Sequence, residues 1–167
     1  METLSRAAGV ARAVATALVV IAIDQASKQI VVNSIGRGES DNVFFGLELT
    51  NTRNRGVAFG FLEGQAVLVG VLIGVALLVL AVYFALNATR PLLWLPVGML
   101  LGGALGNLID RFREGAVIDF IDPIAWPAFN LADAAIVVGV LALLYVAEAG
   151  VGAEPDRRSG EHRTQGL

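Results

Sequence analysis

Two aspartates, Asp119 and Asp133, are the side chains of this sequence best suited to hydrolytic chemistry. They lie fourteen residues apart with a loop predicted between them. They therefore cannot share one helix face, but the loop can return the chain until the two carboxylates meet. Carboxylates this close do not both ionise easily, so they share a proton. The ionised group then activates a water molecule, while the protonated group donates to a scissile carbonyl oxygen.

Each aspartate also has a structural interpretation that needs no catalysis. Asn130 and Asp133 have the spacing of a helix N-cap followed by an acid three residues later, which favours a helix start by itself. Asp119 equally fits a loop carboxylate that pairs with Arg111 or Arg113. The residues alone leave both interpretations open, and the hydrolytic one requires the two carboxylates together.

The composition excludes most competing reaction classes. The chain has no cysteine, which rules out disulfides, a thiol nucleophile and thiolate metal sites. Its one histidine, His162, lies in a polar tail and leaves neither a Ser-His-Asp triad nor a histidine-ligated metal. We therefore expect no metal and no other cofactor. The net charge of −3, without a long run of like charges, argues against a nucleic-acid partner.

Two polar clusters precede the aspartates in the chain. Asp24 and Lys28 lie four residues apart on one helix face, which favours a neutralised ion pair near the end of a span over direct catalysis. Ser27 beside Lys28 is a poor Ser/Lys dyad, because adjacent helical residues point about 100° apart. The segment Asn51–Phe59 places polar residues and Gly56 between apolar strand residues, and on its own predicts a hairpin turn.

A third polar cluster ends an apolar stretch. Glycines at 102, 103 and 106 allow neighbouring helices to approach closely. Asn107, Asp110 and Arg111 follow at the point where that helix is expected to meet water. Charged side chains beside a transmembrane helix cost free energy on insertion, so this cluster is a candidate part of a site.

The positioning elements are predicted to be membrane helices, because the chain is 56% hydrophobic with a mean hydropathy of +0.69. Four apolar stretches approach the roughly 20 helical residues that cross a bilayer: 13–32, 65–86, 92–109 and 129–147. The first is predicted to be retained, since Asp24 follows its apolar run where a signal-peptide cleavage site would lie. We expect one α-helical membrane domain over residues 1–149, and a polar, disordered tail over 150–167.

Four spans place both long connections, residues 33–64 and 110–128, on the same side of the membrane. The first connection is β-rich and predicts a small sheet or hairpin on the membrane surface. Basic residues divide evenly between the two sides, so the positive-inside rule gives no orientation.

Four sequence blocks, taken in order, resemble bacterial lipoprotein signal peptidase (signal peptidase II), an aspartic membrane peptidase family. The blocks are Asp24-Gln25-x-x-Lys28, Asn54-x-Gly56-x-Ala58-Phe59, Gly102-Gly103-Ala104-x-Gly106-Asn107-x-x-Asp110-Arg111-x-x-x-Gly115-x-Val117-x-Asp119-Phe120, and Phe129-Asn130-x-Ala132-Asp133. Order and spacing match over about residues 14–148, and the tail after Gly150 lies outside the resemblance.

The resemblance implies that Asp119 and Asp133 are the catalytic aspartates. It assigns substrate binding or shaping of the site to further residues of the blocks: Asp24, Lys28, Asn54, Gly56, Asn107, Asp110, Arg111 and Asn130. It implies an endopeptidase that cleaves lipid-modified prolipoproteins just before their diacylglyceryl-modified cysteine, with no cofactor. The partners would be these substrates and membrane lipid, and we expect a monomer.

The resemblance also implies an orientation in the bacterial plasma membrane. Both termini would lie in the cytoplasm, with residues 33–64 and 110–128 and the active site at the outer face. The stretch 43–62 would then clamp the extended segment of the substrate, and its four phenylalanines are candidates for that contact: Phe44, Phe45, Phe59 and Phe61.

Two other classes compete with the peptidase. In a small ion-coupled carrier, Asp24, Lys28 and Asp133 would form a proton path, and activity would depend on a transmembrane gradient. A peptidase instead works in detergent. In a membrane scaffold without enzymatic activity, replacing either Asp119 or Asp133 by asparagine would be silent.

Overall fold

The protein folds as four helices and a small antiparallel sheet. The structure, a computed structural model, describes residues 5–56 and 66–151. The elements in chain order are α1 (Arg6–Ser34), β1 (Ser40–Phe44), β2 (Leu47–Asn54), α2 (Ala66–Asn87), α3 (Trp94–Glu114), β3 (Val117–Pro123) and α4 (Leu131–Val151). The helices match the four predicted apolar stretches in order and number, and the predicted tail lies outside the described residues from 152 onward.

Three of the helices in the described part of the chain are long and apolar enough to cross a membrane: Arg6–Ser34, Gly70–Asn87 and Leu131–Ala149. The third helix, α3, differs because its apolar part ends early. Its last five residues include four charged ones: Asp110, Arg111, Arg113 and Glu114. The predicted span over 92–109 is therefore the apolar part of a longer helix, which continues until Gly115 ends it in the left-handed conformation (φ 68°).

Small residues bring α3 close to both α1 and α4. A Cβ at Gly102 would lie 2.8 Å from the carbonyl oxygen of Ala17 on α1. A Cβ at Gly103 would lie 2.5 Å from the carbonyl oxygen of Ala132 on α4. Both distances are too short for any side chain, so these glycines permit a three-helix contact, as the sequence predicts. Because Ala132 directly precedes Asp133, this contact also fixes the position of Asp133 along α3.

The sheet corrects the prediction made for the second polar cluster. Residues 51–54 are not a hairpin turn but the second half of β2, which pairs with β1 on one side and β3 on the other. The turn lies earlier, at Gly46, which has a φ of 80°. Asn51 is buried, and its side chain donates to the Ile35 carbonyl at 2.7 Å, which satisfies the buried amide. The predicted strand residues 57–62 lie outside the described residues.

The strand β3 occupies part of the connection 110–128, where the sequence predicts only a loop. It pairs with β2 so that Asp119 lies opposite Thr52. After β3 the chain turns back, and Phe129 exchanges backbone hydrogen bonds of 2.9 Å with Ile121. This return brings Asn130 and the start of α4 beside the strand that carries Asp119, as hydrolytic chemistry requires.

Candidate active site

A cavity of about 370 Å³ contains both aspartates in its wall. Its polar part comes from β2, the end of α3, β3 and the start of α4, and its apolar part from α2, α3, α4 and the loop after β3. The lining residues are Asn54, Gly56, Ile73, Ala104, Asn107, Arg111, Val117, Asp119, Trp126, Pro127, Ala128, Phe129, Asp133, Ile136 and Val137. The structure thus brings together the two residues on which the hydrolytic interpretation depends.

Asn130 joins the two aspartates directly. Its side-chain Nδ2 donates to Asp119 Oδ1 at 2.7 Å, and its backbone N–H donates to Asp133 Oδ2 at 3.2 Å. Asn130 is completely buried, so its amide has little freedom to turn away. One residue therefore fixes the position of both carboxylates relative to each other.

Asp133 both caps the start of α4 and lines the cavity. Its backbone N–H donates to Asn130 Oδ1 at 3.0 Å, which together with the contact from the Asn130 N–H forms the reciprocal cap predicted for the start of α4. Its other carboxylate oxygen, Oδ1, accepts from Asn107 Nδ2 at 2.7 Å. The cap leaves the side chain in the cavity wall, so capping and catalysis do not exclude each other.

Asp119 is held by amides, whereas the structural alternative paired it with Arg111 or Arg113. Asn54 Nδ2 donates to Asp119 Oδ2 at 3.0 Å, opposite the contact from Asn130. The pKa of Asp119 is raised from 3.8 to about 6, chiefly because the carboxyl is buried and also because the Asp133 carboxylate is nearby. The hydrogen bonds from Asn54 and Asn130 and the charge of Lys28 oppose this rise in pKa.

Arg111 and Gly56 close one side of the cavity. Arg111 donates from Nη2 to the Gly56 carbonyl at 3.1 Å and from Nη1 to the Asn107 carbonyl at 3.4 Å. The Gly56 N–H donates to Asn54 Oδ1 at 2.9 Å. These contacts connect the end of β2 to α3 and turn the Asn54 amide so that its Nδ2 faces Asp119.

Asp24, Lys28 and Asp110 form a buried cluster that does not line the cavity. Lys28 Nζ lies 2.8 Å from Asp24 Oδ2, which confirms the predicted pair, and 2.7 Å from Asp110 Oδ2, which the sequence does not predict. All three residues are at most 2% exposed. The Ser27 hydroxyl donates to the Asp24 carbonyl at 2.7 Å and not to Lys28, which agrees with the argument against a Ser/Lys dyad.

Several residues of the site have a weak signal in the sequence or none. Gln25 donates to Asp110 Oδ1 at 2.8 Å, and its place beside Asp24 in the first block is the only hint of this role. The apolar wall residues Ile73, Ala104, Trp126, Ile136 and Val137 lie in ordinary hydrophobic stretches.

The structure describes only two of the four phenylalanines proposed as a clamp. Phe44 and Phe45 are 73% and 96% exposed on the β1–β2 hairpin and do not line the cavity. Phe59 and Phe61 lie outside the described residues. The clamp remains a hypothesis for the second pair.

The ionisable side chains among the described lining residues are two carboxylates and one guanidinium, from Asp119, Asp133 and Arg111. Such a set suits acid–base hydrolysis, since one carboxylate can accept a proton while the other donates one.

Comparison with known proteins decides between a hydrolase and the other classes. A family model described as Signal peptidase (SPase) II matches residues 16–148. The chain belongs to the signal peptidase II family.

Individual relatives agree with this assignment. A protein named lipoprotein signal peptidase from Moorella thermoacetica is 50% identical over 133 residues, which cover 77% of this chain and 87% of the relative. One of the same name from Burkholderia thailandensis is 40% identical over 154 residues, covering 86% and 93%. A solved bacterial membrane enzyme, obtained by the in meso method at 2.3 Å, has a TM-score of 0.77 and 30% identity, covering 86% of this chain and 92% of that one.

Membership in the signal peptidase II family makes this protein an aspartic peptidase. Together with its apolar helices, it also makes the chain a multi-pass protein of the bacterial plasma membrane. The carrier and scaffold alternatives are thereby excluded.

The raised pKa of Asp119 predicts how stability changes with pH. Between about pH 4 and pH 6 the folded protein keeps a proton on Asp119 that the unfolded chain has released, so the folded state loses stability as pH rises through this window. Asp119→Asn removes this dependence. From pH 4 to pH 7, the unfolding free energy of the variant should therefore rise relative to wild type, by about 2–3 kcal/mol.

Thermal unfolding of both purified proteins in detergent, over a pH series, measures this difference. Parallel curves for the two proteins across the whole series would contradict the assignment of a raised pKa to Asp119.

Proposed function

We propose that this protein is a lipoprotein signal peptidase, which removes the signal peptide from diacylglyceryl-modified prolipoproteins by cleaving N-terminal to the lipidated cysteine. The names of its relatives support the substrate class. The observation that carries the mechanism is that Asp119 and Asp133 line one cavity and are both bound by Asn130.

In the proposed reaction, one water molecule lies between the two carboxylates. The ionised aspartate takes a proton from this water as its oxygen attacks the scissile carbonyl carbon, and the protonated aspartate donates to the carbonyl oxygen. The tetrahedral intermediate then collapses and the C–N bond breaks. The departing nitrogen receives a proton from the carboxyl that gained one, while the other aspartate regains its proton from a hydroxyl of the intermediate. The products are a signal peptide with a new carboxylate and a lipoprotein with a free amino terminus.

The amides around Asp119 and Asp133, the proposed catalytic dyad, support this use of the two carboxylates. Asn54, Asn107 and Asn130 all donate to carboxylate oxygens, which favours the ionised form of either group and partly offsets the cost of burial. Because the amides cannot titrate, they hold the geometry whichever aspartate carries the proton. We propose that the two carboxylates share one proton and therefore titrate as a unit.

The apolar wall supports a substrate that arrives from the bilayer. Ile73 on α2 and Ile136 and Val137 on α4 lie on helices that qualify as candidate membrane spans. A signal peptide is an apolar helix with a lipid beside its cleavage site, so we propose that it reaches Asp119 and Asp133 laterally along this wall.

We further propose that α3 also crosses the membrane, giving four spans in one domain with both termini in the cytoplasm. Its close contacts with α1 and α4 at Gly102 and Gly103 support this, because a helix packed between two spans lies at their depth. The charged end of α3 would then emerge at the outer face, beside the sheet. We propose that the protein acts as a monomer, since a single copy supplies both aspartates and the three amides that hold them, so that the proposed site needs no second copy.

Replacing either aspartate tests the mechanism. Asp119→Asn and Asp133→Asn are each expected to lower turnover of a lipid-modified precursor peptide by about 100- to 10,000-fold, because each removes one half of the acid–base pair. Asp122→Asn is the matched control, since Asp122 lies on the same strand as Asp119 but outside the cavity wall.

The assay is cleavage of the peptide in detergent, with thermal unfolding to verify that the variants are folded. Turnover near wild type in either Asp119→Asn or Asp133→Asn would refute the proposed mechanism.

The proposed topology can be tested by labelling, because the chain has no native cysteine. Asp41→Cys lies on exposed β1, and Thr89→Cys on the exposed turn between α2 and α3. A membrane-impermeant maleimide should label Asp41→Cys in intact cells, or in spheroplasts where an outer membrane is present, and should label Thr89→Cys only after the plasma membrane is permeabilised. The reverse pattern would invert the orientation, and labelling of both without permeabilisation would contradict four spans.

A further inference from the structure

Two buried carboxylates anchor the backbone immediately before each catalytic aspartate. Asp110 Oδ2 accepts from the N–H of Ile118 at 3.2 Å, and Asp24 Oδ1 accepts from the N–H of Ala132 at 2.9 Å. Ile118 directly precedes Asp119, and Ala132 directly precedes Asp133. Asp119 therefore lies on β3, which is held by a carboxylate from α3. Asp133 lies on α4, which is held by a carboxylate from α1.

Lys28 connects these two anchors. Its Nζ lies 2.8 Å from Asp24 Oδ2 and 2.7 Å from Asp110 Oδ2. Its third contact is with Asn107 Oδ1 at 3.1 Å. A lysine ammonium has three N–H donors, and here each has one acceptor. With 1% of its surface exposed, Lys28 has no solvent to turn toward.

The contact with Asn107 determines which way that amide faces. Lys28 offers donors only, so the amide oxygen must point toward it. The Asn107 Nδ2 is thereby directed to Asp133 Oδ1, at 2.7 Å. The same amide oxygen accepts from Asn130 Nδ2 at 3.1 Å, and Asn130 Nδ2 also binds Asp119. A reversed Asn107 amide would place its oxygen against the Asp133 carboxylate.

We propose that Lys28 is a positioning residue for the peptidase reaction, which sets the relation of Asp119 to Asp133 by joining the Asp24 and Asp110 anchors and by orienting the Asn107 amide. This inference rests on the proposed function, in which Asp119 and Asp133 are the catalytic pair. It gives Lys28 a role beyond that of a counterion for buried acids.

The competing role for Lys28 is only to neutralise the buried carboxylates. The two roles predict different results for a variant that loses one positive and one negative charge together. Lys28→Met leaves two buried carboxylates without a cation and is expected to unfold at a lower temperature. The double variant Lys28→Met with Asp110→Asn removes one positive and one negative charge together. Its new amide still offers an oxygen to the Ile118 N–H, and the Gln25 amide can turn to accept from its nitrogen.

If Lys28 only neutralises, the double variant should recover the kcat of wild type. If Lys28 positions the dyad, the variant should fold and keep its KM within about threefold of wild type, while kcat falls by about 100-fold, as expected for a displacement near 1 Å at a reacting group. Lys28→Arg is a second variant for the same question. It keeps the positive charge but replaces three tetrahedral donors by a planar fork, and the positioning role predicts a lowered kcat here too.

Steady-state cleavage of a lipidated precursor peptide by the full chain in detergent gives kcat and KM. Only variants whose Tm stays within a few degrees of wild type are compared. Gln29→Met is the matched control, because Gln29 is exposed and its amide binds only Asn33, on the same helix. Wild-type kcat in a folded double variant or in folded Lys28→Arg would overturn the inference. Asp119→Asn is assayed alongside: its inactivity preserves the proposed function when the inference fails, whereas its full activity would refute that function itself.

Discussion

Burial of charged side chains at the edge of an apolar bundle is the constraint on which the rest of this structure depends. Each such group loses its hydration and must find a partner for every donor and acceptor within the protein. Lys28 meets this demand with three acceptors from two helices. Because those acceptors also hold β3 and α4, satisfying one lysine fixes the elements that carry Asp119 and Asp133.

The dyad itself is built from the same rule applied at the cavity wall. Asp119 and Asp133 are held by amides, which donate hydrogen bonds without adding charge. A cation hydrogen-bonded directly to both carboxylates would favour their ionised forms, whereas hydrolysis by a shared proton needs one of them protonated. Lys28 lies one amide away, where its charge only partly opposes the rise in the pKa of Asp119, while its contact with Asn107 still sets the geometry.

Features that depend on local spacing could be predicted from the sequence, and features that depend on strand pairing could not. The Asp24–Lys28 pair, the cap formed by Asn130 and Asp133 and the close helix contacts at the glycines follow from residues three or four apart or from size alone. The polar run from Asn51 predicts a turn wrongly, because its composition gives no sign that β3 pairs with it. The contact of Lys28 with Asp110 likewise needs α1 and α3 to be packed before it exists.

The proposed mechanism requires that a water molecule, and not an aspartate, attacks the scissile carbonyl. A single turnover in ¹⁸O-enriched water, with enzyme in excess over a lipidated precursor peptide, tests it directly. Attack by water places ¹⁸O in the new carboxylate of the released signal peptide during that first turnover and leaves the enzyme unlabelled. A first product that carries only ¹⁶O, with ¹⁸O recovered in Asp119 or Asp133, would show a covalent acyl intermediate and contradict the account.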